Sequence, residues 1–178
     1  MPEKNVILNS AAMHRVFTRI AHEIAERNDN SNEVIIVGVQ RGGVHIAFRL
    51  GNILKGIWNH PVPVGTLDVS MHRDDLGRQF APQIQPTAIP ADINGKTVVL
   101  VDDVLFSGRT TRAAMDALTD FGRPHRIQLA VLIDRGHREL PIKPDFVGKN
   151  VPTSIAEKID VRLKEDGNED VVYLDKTS

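Results

Sequence analysis

The chain has 178 residues, of which 41% are hydrophobic and 25% charged, and a formal net charge of −1 at pH 7. These values are typical of one soluble globular domain and argue against a protein that is basic all over. The absence of cysteine excludes disulfides, thiolate catalysis and cysteine-based zinc sites, and the lack of a secretory signal or of an apolar run near the ~20 residues of a membrane span predicts a cytoplasmic protein without a membrane partner.

The first half of the chain alternates helical and strand patterns. Apolar residues recur at three- and four-residue spacing from Ser10, which predicts a helix with a basic opposite face. The run EVIIVGV predicts a buried strand, a second helix follows from 44 to about 54, and VPVGTLDVS predicts another strand. From 72 to 90 the sequence is polar, rich in proline and without periodicity, which is typical of a mobile lid or a disordered segment.

The second half continues the alternation. TVVLVDDVL predicts a strand, a short loop and an alanine-rich helix follow, RIQLAVLID predicts a further strand, and short strand-like pieces begin at Ile159. This order predicts an α/β fold, a single domain with a central mostly parallel sheet and a small C-terminal appendage. Because ligands bind at the carboxyl ends of such strands, we expect three polar groups to converge there: Arg41-Gly42-Gly43, Asp102-Asp103 and Arg135.

Two adjacent carboxylates, Asp102 and Asp103, end a strand whose other residues are apolar. The following Ser107-Gly108-Arg109-Thr110 opens a helix, whose N-terminal N–H groups and dipole suit a phosphate. The carboxylates would repel that phosphate unless sugar hydroxyls donate hydrogen bonds to them. These residues therefore predict a clamp for ribose 5-phosphate, with a ligand-free helix-capping pair as the alternative. The P-loop and Rossmann glycine motifs are absent.

The stretch VVLVDDVLFSGRTT resembles the phosphoribosyl-pyrophosphate motif of type I phosphoribosyltransferases. With TRIAHEIAERN, DVSMHRDDL and GRPHRIQLAVLIDRGHRELPIKPDFVGKNVPTS, the chain is similar to the family of bifunctional pyrimidine-operon regulators and uracil phosphoribosyltransferases over about 6–154. The resemblance implies a type I phosphoribosyltransferase fold, with helices flanking the sheet and a small hood. One domain would span 1–178, with a mobile lid loop at 72–90 and the hood and acidic C-terminal segment at 135–178.

The resemblance also implies an activity and partners. The enzyme would transfer phosphoribosyl from phosphoribosyl pyrophosphate to uracil, giving UMP and pyrophosphate, with Mg²⁺ bound mainly through the substrate pyrophosphate. The same protein, a homodimer or higher oligomer, would bind leader RNA of a pyrimidine operon in response to UMP or UTP and so regulate transcription by attenuation. Two other interpretations stay open. One is an RNA-binding regulator that only senses nucleotides, and the other is a hypoxanthine–guanine enzyme, which KPDFVG also resembles.

The site residues implied by the resemblance form four groups. The catalytic group is Asp102, Asp103 and Arg73. The phosphoribosyl-pyrophosphate motif comprises Val101, Asp102, Asp103, Val104, Leu105, Phe106, Ser107, Gly108, Arg109 and Thr110. The pyrophosphate loop is Gln40, Arg41, Gly42 and Gly43, where the family commonly reads Thr-Arg-Gly and Arg41 falls one place earlier. The base pocket would include Arg135, Ile155 and Ala156.

The RNA surface implied by the resemblance lies on the first helix. Its residues are Thr18, Arg19, His22 and Arg27. Arg15, Arg19 and His22 are spaced four and three apart and share one helical face. A solvated helix face without a ligand is the alternative. Further basic residues could extend this surface, and acids are concentrated in the C-terminal segment: Arg138, Lys143, Lys149, and Glu165, Asp166, Glu169, Asp170.

Overall fold

The computed structural model describes residues 3–73 and 86–176. In chain order its elements are β1 (Glu3–Leu8), α1 (Ser10–Arg27), β2 (Val34–Val39), α2 (Val44–Trp58), β3 (Val64–Leu67), β4 (Thr97–Leu105), α3 (Arg109–Leu118), β5 (Arg126–Asp134), β6 (Phe146–Asn150), β7 (Lys158–Arg162) and β8 (Val171–Lys176). Short 3-10 turns occur at Ser31–Glu33 and Lys164–Asp166.

Within the described ranges the strands form two sheets. The central sheet has five parallel strands in the order β3-β2-β4-β5-β6, and a smaller antiparallel sheet has the order β1-β8-β7. The predicted α/β fold with a mostly parallel sheet is confirmed. None of the described helices is long and apolar enough to cross a membrane.

Helices cover both faces of the central sheet. Val34 and Ile36 of β2 pack in one apolar cluster with α1 and α2, while Ile35 and Val37 pack in a second cluster with α3. The alternation follows from the two-residue period of a strand. All six residues of β2 are buried, as expected for a parallel strand that is covered on both faces.

The sequence prediction missed two strands and misjudged two lengths. β1 and β6 were not predicted, α2 continues four residues beyond the predicted end at 54, and β3 is shorter than VPVGTLDVS. The helix continues because Ile57 and Trp58 still pack against the core, and it ends where Asn59 adopts a left-handed conformation (φ 58°). β6 lies at the edge of the sheet and has no clear alternation of buried and exposed residues.

The centre of the predicted lid, residues 74–85, lies outside the described residues, so the lid remains a prediction. The chain that follows it returns along β3. Thr66 and Ala88 exchange backbone hydrogen bonds of 2.9 and 3.0 Å in an isolated antiparallel bridge. The Gln40 Nε2 also donates to Pro86 O at 3.0 Å. The base of the predicted lid is therefore attached to the turn after β2.

An arginine on α2 fastens the acidic C-terminal segment to the core. Arg49 Nε and Nη2 donate to the Glu165 carboxylate at 2.8 and 2.7 Å, and Nη1 and Nη2 donate to the Asp170 carboxylate at 2.9 and 2.7 Å. The Asp170 side chain is only 6% exposed and also accepts a hydrogen bond from Lys164 N–H. Two of the acids concentrated in the C-terminal segment are therefore structural ion-pair partners.

The Arg49 ion pairs shift the acid titration of both carboxyls. The hydrogen bond from Arg49 is the main cause of the lowered pKa of Glu165. Burial alone would raise the pKa of Asp170, but the hydrogen bonds from Arg49 and from Lys164 N–H outweigh it, and the pKa is lowered. Carboxyls with a lowered folded-state pKa stabilise the fold above their ordinary pKa, and that stability is lost as the pH falls through the folded-state value.

We predict that Arg49→Met lowers the free energy of unfolding by about 3–5 kcal/mol at pH 7, because it leaves the buried Asp170 carboxylate without its counter-charge. The difference from wild type should narrow below about pH 4, where the carboxyls become neutral. Urea unfolding at pH 7 and pH 3 measures both values. Arg126→Met, at an exposed position of β5, is the matched control. An equal loss at both pH values would contradict an electrostatic role.

Candidate active site

The turn after β2 lies directly against the end of β4. A Cβ atom on Gly42 would overlap the Asp103 carboxylate, and one on Gly43 would overlap the Val101 carbonyl oxygen. Only glycine permits this approach of one backbone to the other. The Gln40–Arg41 peptide bond in this turn is cis. The structure thus brings together two of the three groups that the sequence predicts at one sheet edge.

The two carboxylates at the end of β4 are oriented by backbone groups. Asp103 N–H donates to Asp102 Oδ1 at 2.8 Å, and Val104 N–H donates to Asp103 Oδ1 at 2.7 Å. Both side chains are half-buried. Burial is the main cause of a strongly raised pKa for Asp102, the charge of Asp103 adds to it, and the charge of Arg73 opposes it. The end of β4 is therefore a site of hydrogen-bond acceptors, and hydroxyl donors or a positive charge would stabilise the two carboxylates.

The loop between β4 and α3 has the geometry expected for a phosphate site. Gly108 adopts φ 92°, a conformation that side chains rarely allow, and α3 begins at the next residue. Ser107 Oγ accepts a hydrogen bond from Arg109 N–H at 3.3 Å. A small cavity of about 70 Å³ lies here; its lining includes Arg73, Asp102, Ser107, Gly108, Thr110 and Thr111. The predicted catalytic Arg73 is thus placed beside Asp102 and the loop.

The residues after β5 brace this loop. Arg135 N–H donates to Leu105 O at 3.1 Å, and Glu139 N–H donates to Ser107 O at 2.9 Å. Arg138 Nη1 donates to Phe106 O at 2.8 Å, and its Nη2 contacts Asp134. The guanidinium of Arg138 is therefore bonded to the loop, and the expected extension of a basic surface by Arg138 stays a prediction.

The loop predicted to hold a base, residues 153–157, lies next to the residues after β5 that bond to the β4–α3 loop. Ile155 is 75% exposed and Ala156 is also exposed, whereas Arg135 is only 8% exposed. Burial lowers the pKa of the Arg135 guanidinium, which donates to Thr153 Oγ1 and to the carbonyl oxygens of Ser154 and Glu157. Arg135 thus lies at the base of this loop rather than at its surface.

A larger cavity of about 520 Å³ lies between the turn after β2 and the C-terminal segment. It is lined by Gln40, Arg41, Gly42, Val44, His45, Leu163 and Asp166. His45 Nε2 lies 3.3 Å from Asp166 Oδ1 and joins the two walls. The predicted pyrophosphate-loop residues 40–42 therefore face a cavity with room for a substrate group.

The four residues predicted to bind RNA lie along α1, next to β6. Arg19 contacts the carbonyl oxygens of Val147 and Gly148, and Arg27 Nη1 lies 3.4 Å from Asp145 Oδ1. Thr18 Oγ1 donates to His14 O, and His22 is exposed. Arg19 and Arg27 therefore also hold α1 against the sheet edge. Acids share this surface: Glu23, Glu26 and Asp145 line the adjacent groove with Arg27 and Phe146.

Comparisons with known proteins show which proteins the chain is similar to. The phosphoribosyl transferase domain model matches residues 5–166. The bifunctional protein PyrR of Roseiflexus sp. (strain RS-1) is 59% identical over 180 residues, which cover 100% of this chain and 98% of that protein. The bifunctional protein PyrR of Bacillus subtilis (strain 168) is 50% identical over 98% of both chains. The hypoxanthine phosphoribosyltransferase of Trypanosoma cruzi shares the fold, with a TM-score of 0.73 and 18% identity over 97% of each chain.

The raised pKa of Asp102 predicts a pH-dependent gain in stability on its replacement. A carboxyl whose folded-state pKa lies above its ordinary value costs stability as the pH rises through that range. Asp102→Asn keeps the acceptor for Asp103 N–H and removes the titration. We therefore expect a higher melting temperature than wild type at pH 7 and no gain near pH 3. Asp116→Asn, exposed on α3, should show neither effect, and a loss of stability at pH 7 for Asp102→Asn would contradict the prediction.

Proposed function

The chain belongs to the phosphoribosyl transferase domain family and, within it, to the bifunctional pyrimidine-operon regulators and uracil phosphoribosyltransferases, and from this we propose that it converts uracil and phosphoribosyl pyrophosphate to UMP and pyrophosphate. The observation that carries the proposal is the arrangement at the end of β4. Two half-buried carboxylates stand there between a glycine turn and a loop that opens a helix.

The ribose phosphate half of the substrate would bind along β4 and its loop. Asp102 and Asp103 accept hydrogen bonds from the ribose hydroxyls, which relieves the cost of holding two carboxylates together. The 5′-phosphate lies between Ser107 of the loop and Thr110 in the first turn of α3, where the first N–H groups of α3 donate to it. The brace from Arg138 and Glu139 keeps the loop in this conformation before substrate arrives.

The pyrophosphate half would bind between the turn after β2 and Arg73. Because Gly42 and Gly43 carry no side chain, the turn can pack against the end of β4, which brings its backbone next to the proposed ribose site. Mg²⁺ would enter bound mainly through the pyrophosphate and neutralise part of its charge. This mode fits the residues, since within 3–73 and 86–176 no group of three or more His, Asp or Glu could hold a metal ion, and Mg²⁺ is commonly held through substrate phosphates.

The chemistry would need no protein nucleophile. The bond from the anomeric carbon to pyrophosphate breaks through an oxocarbenium-like state as the bond to the uracil nitrogen forms, and the proton on that nitrogen passes to the departing pyrophosphate or to water. The arginines and backbone N–H groups around the pyrophosphate stabilise the charge that gathers on it, which is electrostatic catalysis. A lid at 72–90 would keep water from the activated sugar.

We also propose that α1 and the edge of the central sheet bind leader RNA of a pyrimidine operon and that uridine nucleotides promote this binding. Thr18, Arg19, His22 and Arg27 are the proposed contacts, and exposed Lys149 on β6 adds positive charge beside them. Support comes from the full-length similarity to proteins named as bifunctional. His22 is exposed and the Arg27 side chain is 54% exposed, with its ion pair to Asp145 at 3.4 Å. Arg19 instead bonds to two carbonyl oxygens of β6, so His22 and Arg27 suit a test better than Arg19.

We predict that the protein releases pyrophosphate from phosphoribosyl pyrophosphate with Mg²⁺ and uracil, and not with hypoxanthine or guanine. The measurement is pyrophosphate release with each base separately, with the nucleotide product identified. Asp102→Asn combined with Asp103→Asn is the control. Because each lost carboxylate–hydroxyl bond is worth about 1.5–3 kcal/mol, the folded double variant should lose roughly a hundredfold or more in rate. Formation of IMP or GMP without UMP would favour the purine enzyme instead.

For RNA, we predict that His22→Gln combined with Arg27→Gln weakens leader binding while uracil transfer stays nearly unchanged. Each phosphate contact that is lost should reduce the slope of log affinity against log salt by about 0.7–0.9. Filter binding over a salt series, with and without UMP, measures the slope and the nucleotide effect. By reciprocity, a nucleotide that strengthens RNA binding must itself bind more tightly in the presence of RNA.

Lys55→Gln is the matched control for the RNA experiment, since Lys55 is an exposed cation on α2. It should leave the affinity and the salt slope at their wild-type values. If wild-type protein shows no UMP-dependent preference for its own operon's leader over unrelated RNA, the regulatory half of the proposal is wrong and the enzymatic half is unaffected.

A further inference from the structure

The Arg135 side chain links two loops of the site. Its Nε donates to Thr153 Oγ1 at 3.0 Å, and its Nη2 donates to Ser154 O at 3.0 Å and to Glu157 O at 2.8 Å. Thr153 Oγ1 donates back to Arg135 O at 3.2 Å. The guanidinium carbon lies 4.3 Å from the centre of the Phe106 ring. One buried cation thus contacts the loop after β4 and the 153–157 loop together.

Each of these loops would hold one of the two reactants in place, the ribose phosphate or the base. Phe106 belongs to the loop proposed for the 5′-phosphate, and the 153–157 loop carries Ile155 and Ala156 of the proposed base pocket. The Arg135 backbone is also fixed, since its N–H donates to Leu105 O at 3.1 Å. The side chain and the backbone of this one residue therefore set the distance between the two loops.

The partners of Arg135 suit positioning better than stabilisation of the fold. Its hydrogen-bond acceptors are two carbonyl oxygens and a hydroxyl, and the charge of Glu157 offsets only part of the cost of burying this 8% exposed cation, whose pKa is lowered mainly by burial. Burying a charge without a bonded carboxylate costs free energy. The planar guanidinium does supply donors in a fixed fork and a flat face for an aromatic ring. The donors bond to the 153–157 loop and the flat face lies against the Phe106 ring. Both contacts depend on the orientation of the guanidinium.

We propose that Arg135 is a positioning residue that fixes the 153–157 loop at a set distance from the 5′-phosphate loop through the Phe106 ring. Arg135 would influence which base reacts without contacting it. The reacting nitrogen of the base must reach the anomeric carbon, and the ribose is held by the loop on the other side of Arg135. Small misplacements of reacting groups are costly in rate. This inference rests on the proposed uracil transfer.

The first test is Arg135→Lys, which keeps the charge and loses the fork and the flat face. We expect the KM for uracil to rise by about tenfold or more, as the loss of hydrogen bonds to a charged group implies. The KM for phosphoribosyl pyrophosphate should change by less than about threefold, which separates the two substrates. Amide hydrogen exchange in 153–157 should become faster. Arg126→Lys, at the opposite end of the same strand, is the control and should change none of these values.

The second test changes the Phe106 ring and measures amide hydrogen exchange, so it does not depend on catalysis. Phe106→Leu removes the stacked face and should accelerate exchange in 153–157, whereas Phe106→Tyr keeps the ring and should keep the wild-type exchange rate there. Thr153→Val removes the acceptor of Arg135 Nε without changing the shape of the side chain and should also accelerate exchange. These variants carry the test if Arg135→Lys fails to fold.

Two outcomes would overturn the inference. One is wild-type exchange in 153–157 for a folded Arg135→Lys or for Phe106→Leu. The other is an equal rise in the KM of both substrates, which a general loosening of the fold would produce. A wild-type protein that makes no UMP would refute the proposed function, and the exchange comparison would still decide whether Arg135 positions the loop.

Discussion

The whole site depends on how closely the backbone after β2 passes the end of β4. At Gly42 and Gly43 no side chain fits, because the Asp103 carboxylate and the Val101 carbonyl oxygen occupy the space. The parallel pairing of β2 and β4, with Gly38 opposite Val101, sets this distance. A turn able to face a pyrophosphate and two carboxylates able to face a ribose are thereby held on adjacent strands.

One buried and two half-buried arginines hold the loops around this edge. Arg49 fastens the C-terminal segment through two carboxylates, whereas Arg135 and Arg138 reach mainly backbone carbonyl oxygens of neighbouring loops. A carbonyl oxygen is an acceptor that any residue provides, so loops can be fixed without constraining their sequence. The exposed side chains of those loops, such as Ile155, are then left for ligands.

The sequence predicted the centre of the fold better than its margins. The strand–loop–helix around Asp102 and Ser107 carries its own local pattern, and the rule for the carboxyl ends of parallel strands was enough to place Gly42 beside it. β1 escaped prediction because its partner β8 lies at the other end of the chain, and a pairing so distant leaves no local pattern. β6 escaped because an edge strand that alternates poorly looks like a loop.

Charged residues were the hardest to interpret from sequence. Composition favours the surface for arginine and glutamate, so Arg138 was assigned to a basic surface and no partner was predicted for the C-terminal acids. In the structure Arg138 contacts the backbone of Phe106 and the Asp134 carboxylate, and Glu165 and Asp170 bond to Arg49. Arg49 and Asp170 are 121 positions apart. The raised pKa of Asp102 likewise arises from burial and from Asp103, and only the second cause can be read from the sequence.

The antiparallel sheet joins the two ends of the described chain, with Glu3 opposite Lys176 in β1 and β8. During synthesis β1 is made before the other described strands and has no partner until β8 has emerged. The central parallel sheet has its five described strands by Asn150, so it can assemble before the small sheet exists. Loop closure between strands so far apart in sequence makes the pairing of β1 with β8 slow. The C-terminal segment that lines the 520 Å³ cavity opposite Gly42 is thus fixed after the residues at the end of β4 are already in place.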